Sequence, residues 1–202
     1  SVKWKFVKEV KRFIDERALG NNMAFKDITF KEVYPLYGQV DIQNSSTARN
    51  KATQRDLAKQ LEMLGEIFTK LMSLQRIPIY EEYQFRIFSF LEEVKKSFKT
   101  GTEQRIIDFI KEEVHPSIDQ IGLMDPSLQV LVDSYKDHLD TNLQMVYDHR
   151  QNYDDAVTKV NKRLTRVIDN HQKEAQRIFP HYFERYKTDG VEHTMYIGDS
   201  IT

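Results

Sequence analysis

Apolar residues fall along most of this chain in steps of three and four, the spacing that lines one face of an α-helix. Val7, Val10, Phe13, Ile14 and Ala18 make the first stripe, with Lys5, Lys8, Lys11 and Arg12 on the other face and Gly20 as a C-cap. Leu57, Leu61, Leu64, Phe68 and Leu71 predict a helix from Ser45 to about Gln75, with Ser45 and Ser46 offering N-cap oxygens. Pro78 opens a third helix whose face reads Tyr83, Ile87, Leu91, Val94 and Phe98, widened by Phe85, Phe88 and Phe90. Around the stop at Gly101, Thr100 and Glu103 fit a capping box for a helix carrying Ile106, Ile107, Phe109, Ile110 and Val114. Pro116 should kink or end that helix near Val114, and Gly122 should close it. Asp125 and Pro126 start the next, with Leu128, Leu131, Val132, Tyr135, Leu139, Leu143 and Val146 continuing its stripe.

From His149 to Arg177 the pattern narrows to Tyr153, Val157, Val160, Leu164, Val167 and Ile168. That is a coiled-coil-like seam, which asks for one partner helix rather than a surrounding core. A helix running unbroken from Pro126 would be about 80 Å long, so a break near residue 150 is expected. Two stretches leave the helical rule. Residues 25–44 are rich in β-branched and aromatic side chains and read as extended, with a turn at Pro35–Gly38. After Pro180 a short turn, HYFERYK, precedes a tight turn at Asp189–Gly190 and one strand, VEHTMYI.

Composition supports long elements. Seven Gly and five Pro make about 6% of the 202 residues, half the usual share near 12%, so turns are few. No stretch approaches 18 apolar residues and mean hydropathy is −0.62, which points to a chain that neither spans a membrane nor carries a secretory signal. The absence of Cys removes disulfides, thiolate metal sites and Cys nucleophiles. A net charge of −1 gives no bulk attraction to nucleic acid or anionic lipid.

Candidate chemistry is sparse. Glu112 and His115 have the Glu-x-x-His spacing of di-iron bundles, but no second such pair exists, so no metal site is expected. Asp133, Asp137, His138 and Asp140 read as a solvated helix face, as does the basic stripe of Lys159, Lys162, Arg163, Arg166 and Lys173. No Gly-rich phosphate loop or nucleophile elbow occurs. No catalytic residue and no cofactor is therefore assigned. The segment VYPLYGQVDIQN is the strongest local anomaly, and Tyr34, Tyr37 and Asp41 within it are the candidate contacts to a ligand or a neighbouring domain. The second candidate set is the seam of Tyr153, Val157, Val160, Leu164 and Val167.

The run EVYPLYGQVDIQNSS, with SVKWKF near the start and HYFERYKTDGVEHTMYIG near the end, resembles an internal helical region of large GAF-domain-containing proteins of Bacteroidetes bacteria. The resemblance implies a signalling context and a bacterial source, and carries no catalytic residue across. A GAF domain is built on a mixed sheet, which this mostly helical pattern lacks.

The expected fold is mainly α, an elongated bundle of five to six helices with a coiled-coil-like arm and at most a short two-stranded sheet pairing residues 25–44 with Val191–Ile197. Its core should be aromatic-rich, using Phe68, Phe85, Phe88, Phe90, Phe98 and Phe109. One domain over 1–202 is expected, a fragment of a longer protein divided into 1–44, 45–179 and 180–202. The expected function is a non-catalytic signalling or scaffolding region of a cytoplasmic protein. Its partners would be other domains of the same polypeptide and a second copy through 153–175, with neither nucleic acid nor membrane. The alternative is a small-ligand sensor or enzyme with its pocket between the bundle and the Tyr-rich loop 33–42.

Overall fold

The computed structural model describes residues 2–21, 24–28, 30, 32–99 and 101–198. The fold is mainly α with a small antiparallel sheet. In chain order the elements are α1 (Val2–Ala18), β1 (Tyr34–Asp41), α2 (Ser45–Leu74), α3 (Pro78–Lys96) and α4 (Thr102–Asp108). A π-helical segment (Phe109–Val114) leads into α5 (His115–Met124), followed by α6 (Pro126–Asp137), α7 (Asp148–Ile178), β2 (Tyr182–Lys187) and β3 (Gly190–Ile197). They form two compact units, Asn44–Ala156 and Ser1–Gln43 with Val157–Thr202, here called the bundle unit and the sheet unit. Helix α7 contributes residues to both.

In the bundle unit the apolar stripes meet as their periodicity requires. Leu57, Leu61, Leu64 and Phe68 of α2 are fully buried with Ile87 and Val94 of α3, Ile106 and Ile110, and Leu128, Val132 and Tyr135 of α6. Each such side chain removed from water contributes roughly 1.5–3 kcal/mol. Phe68 meets Tyr80 edge-on at 6.1 Å, and Phe109 meets Tyr83 at 5.9 Å and Phe90 at 5.4 Å. Phe90 and Phe98 are only partly buried, and Phe85 and Phe88 are exposed, so the aromatic core is smaller than expected. An arc as wide as that of α3 needs neighbours on all sides, and α3 lies at the rim.

Helix ends and breaks differ from the sequence reading in several places. Neither Ser45 nor Ser46 caps α2; the cap position is Asn44, in the left-handed conformation and without a side-chain bond. Thr100, half of the expected capping box, lies outside the described residues. Pro116 does not end its helix, but α geometry does give way where a kink was expected, in a π segment that ends at Val114. The preceding turn widens to π geometry, with the His115 amide bonding Ile110 O five residues back, and the widened turn accommodates the missing proline amide and its ring. Gly122 is buried inside α5 rather than closing it, because a Cβ there would lie 2.9 Å from Gln129 Oε1 on α6. Asp125 caps α6 by accepting from the Ser127 amide at 2.8 Å. That helix stops at Asp137, and Leu143, placed by the stripe on a helix, is exposed in the loop 138–147.

The sheet has the order β1-β3-β2, both pairs antiparallel, with Tyr34 opposite Ile197 and Tyr182 opposite Tyr196. Three strands form where two were expected, because YFERYK is a strand and not a turn. The expected turn at Pro35–Gly38 is likewise continuous strand, and Pro35 fits because β1 is an edge strand, with β3 on one side only. Gly190 is required where the chain enters β3, since a Cβ would stand 1.9 Å from Val40 O.

Candidate functional site

Among the described residues, polar side chains gather in two buried chains, at a buried carboxylate and on one exposed sheet face. The first chain crosses the bundle core. Gln60 sits among the leucines of α2 and is fully buried; its Nε2 donates to the Tyr135 hydroxyl at 2.8 Å and its Oε1 accepts from the Val146 amide at 3.1 Å. The same hydroxyl lies 2.7 Å from His115 Nε2. Since Gln60 occupies the phenol as a donor, Tyr135 gives its proton to a neutral His115. Burial pushes the Tyr135 phenol well above its ordinary range and holds His115 below its own, so both groups stay uncharged. His115 and Tyr135 line a cleft of about 390 Å³ with Ile118, Lys136, Thr141 and Gln144. The π turn just before His115 sets this ring against α6.

Asp56, one residue before Leu57, is a buried carboxylate. It accepts from the His149 and Arg150 amides at 2.8 and 3.0 Å and from Arg150 Nε at 3.1 Å, and so caps the start of α7 from α2. Glu112 of the Glu-x-x-His pair is exposed while His115 turns to Tyr135. Among the described residues no three His, Asp or Glu side chains are grouped to hold a metal ion.

The second polar chain lies in the sheet unit. Gln172 of α7 is buried; its amide nitrogen lies 2.7 Å from His181 Nε2 and its oxygen 3.0 Å from His193 Nε2 on β3. His181 Nδ1 is 2.7 Å from Phe179 O, which fixes its proton on Nδ1 and leaves Nε2 to accept from Gln172. Gln172 Oε1 then accepts from His193 Nε2, so one carboxamide bridges the two imidazole rings. Burial, with Arg185 and His181 nearby, holds His193 below its ordinary range. Arg185, beside His193 in the register, pairs with Asp169 of α7.

The strand register therefore separates two faces. His193 and Arg185 point to α7, whereas Tyr37, Gln39 and Asp41 share the opposite face with Tyr182, Glu184, Tyr186, Glu192 and Tyr196. There Tyr37 donates to Gln39 at 2.9 Å and Gln39 to Asp41 at 2.8 Å. Tyr182 and Tyr196 both donate to Glu184, at 3.1 and 3.0 Å, and that bond holds both phenols above their usual range.

Of the residues singled out from sequence, Tyr37 and Asp41 come together on this outer face, while Tyr34 alternates to the other side of β1. Along the seam, Val157 and Leu164 are partly buried in the sheet unit, and Val160 and Val167 are 40% and 54% exposed; Tyr153 is partly buried in the bundle unit. Asp56, Gln60, Tyr135, Gln172 and His193 were not singled out as site residues. Gln60 and Gln172 had a signal, a polar residue set into an apolar stripe. No protein-family model matches the chain, and no curated protein and no solved structure matches it.

Proposed function

We propose that this chain is a non-catalytic scaffolding or signalling region of a larger cytoplasmic protein, of the kind it resembles among GAF-domain-containing proteins of Bacteroidetes, and that it works by association through the sheet unit. One observation carries the reading. Val191 is the one apolar side chain of that unit buried among the described residues, whereas Trp4, Val10, Ile14, Leu36, Val160 and Val167 are exposed. So many exposed apolar side chains on a unit that buries one support an interaction site. The partners are neighbouring domains of the same polypeptide and a second copy that lays its own α7 along the seam at Val160 and Val167. Light scattering over a range of concentrations tests this. A dimer that becomes monomeric on Val160→Glu with Val167→Glu, at unchanged helix content, supports the seam; a monomer at every concentration rejects self-association.

A second reading, a small-ligand sensor, is favoured by the cleft at His115 and Tyr135 in the bundle unit, rather than by a pocket beside loop 33–42. A metabolite screen by thermal shift tests it: a bound ligand raises the melting temperature by mass action, and His115→Ala should abolish that rise.

A further inference from the structure

The outer face of the sheet and the free face of α1 are complementary in charge, chemistry and size. Four tyrosines, Tyr37, Tyr182, Tyr186 and Tyr196, stand on the sheet face with three carboxylates, Asp41, Glu184 and Glu192. Its strand positions carry no Lys or Arg, because Arg185 and Lys187 point to the opposite side. Tyr37, Tyr182 and Tyr186 are all exposed. Helix α1 has the inverse composition. Its sequence holds six cations against three carboxylates. One face of it is already occupied, since Phe13 stacks on Phe25 at 4.0 Å and Glu9 accepts from the Lys26 amide at 2.7 Å. The other carries Trp4, Val7, Lys8, Lys11 and Ile14 at helical spacing, with Asp15 as its one carboxylate, all exposed, and Lys8 lies over the Trp4 ring at 5.1 Å.

We infer that the free face of α1 docks on the tyrosine and carboxylate face of the sheet in a second copy of this chain. Lys8 and Lys11 would meet Glu184 and Glu192 and lie over tyrosine rings, where a cation is attracted by the π face. Trp4 and Val7 would cover the remaining aromatic surface. The dimensions agree: a 17-residue helix is about 25 Å long and 10 Å wide. An eight-residue strand spans about 27 Å and three strands about 10 Å. One helix therefore covers this face. The surface is on the side of the sheet away from α7, so the inference does not depend on the seam. In an isologous dimer the contact occurs twice, once from each copy.

The test uses the whole chain, which has no native Cys. Single variants Lys8→Cys and Thr194→Cys are mixed and oxidised. The inference expects a disulfide-linked dimer containing one of each, because Thr194 lies at the centre of the outer face. Failure to cross-link overturns it. In parallel, light scattering follows Glu184→Lys with Glu192→Lys, Lys8→Glu with Lys11→Glu, and the four changes together. Either reversed pair should weaken dimerisation at least tenfold, as like charges placed opposite each other do, and the combined variant should recover it. Circular dichroism checks that each variant is folded, and the recovery itself excludes simple misfolding. A dimer indifferent to these charges but lost with the Val160 and Val167 changes overturns the inference and leaves the seam standing. A monomer whose stability follows the charge swap overturns it in favour of α1 docking within its own chain.

Discussion

Phe68 in the bundle unit is fully buried between Tyr80 and Tyr83, while Phe183, Tyr37 and Trp4 in the sheet unit keep much of their surface in water. Both sets of residues have the hydrophobicity to be buried, so side-chain chemistry does not make the difference. Architecture does. In the bundle unit α2 is flanked by α3, α4 and α6, and its stripe meets apolar faces from several directions. In the sheet unit three strands present two faces and α7 covers one of them, through polar side chains as much as apolar ones. A small unit of that kind has too much surface for its volume to bury its own apolar residues. Exposed aromatics here follow from the architecture of the unit that carries them, and the association proposed above rests on those residues.

The strongest way to break the comparison is Phe68→Ala. Loss of a fully buried ring costs about 3–5 kcal/mol, and the urea midpoint followed by far-ultraviolet circular dichroism should fall accordingly. The chain's single Trp, Trp4, belongs to the sheet unit, so its fluorescence transition should stay in place; coincident shifts would show that the two units unfold as one. Next in size is Asp56→Ala. It leaves the first amides of α7 without their acceptor and breaks a buried charge pair, which costs about 3–5 kcal/mol, at the lower end here because Arg150 keeps Glu103 at 3.5 Å and Val146 O at 2.7 Å. Thermal unfolding measures it, and an unchanged melting temperature would remove Asp56 as the cap of α7.

The smallest effect sharpens the sheet unit alone. His193 is held below its ordinary value near 6.5, so the unfolded chain binds more protons than the folded one once the pH drops below that value. The stabilisation from neutral His193 is complete above about pH 6.5 and is lost as the pH falls through its lower folded value. The urea midpoint read by Trp4 fluorescence should therefore decline from pH 7 to pH 5. Gln172→Glu should flatten that decline, because a carboxylate beside His193 favours the charge that the imidazole gains on protonation. A midpoint independent of pH would show that His193 is not held below its ordinary value in the folded chain.

Much of the bundle was legible in sequence because its information is local. The stripe of Leu57, Leu61, Leu64 and Phe68, the Asp125–Pro126 start and the Gly20 stop each depend on neighbours within a turn or two. The errors arose where a residue's meaning came from elsewhere in the fold. Gly122 looked like a stop until α6 was found against it, and Phe85 and Phe88 looked like core until α3 proved to lie at the rim. YFERYK looked like a turn because strand identity depends on the partner β3 that follows it. At the candidate sites, Tyr37 and Asp41 were visible as a local anomaly. Gln172 and His193 were not, since they are separated by 21 residues and meet only through the packing of α7 on the sheet.

The helices, the Asp125 cap and most of the faces they bury were fixed locally, since those follow from a period of 3.6 residues and from turn chemistry within a few positions. Tertiary structure alone decided which distant segments share a unit, which tyrosines share a sheet face, and which buried polar groups find one another. Those outcomes depend on register, in which a shift of one residue turns every side chain of a strand to the other side.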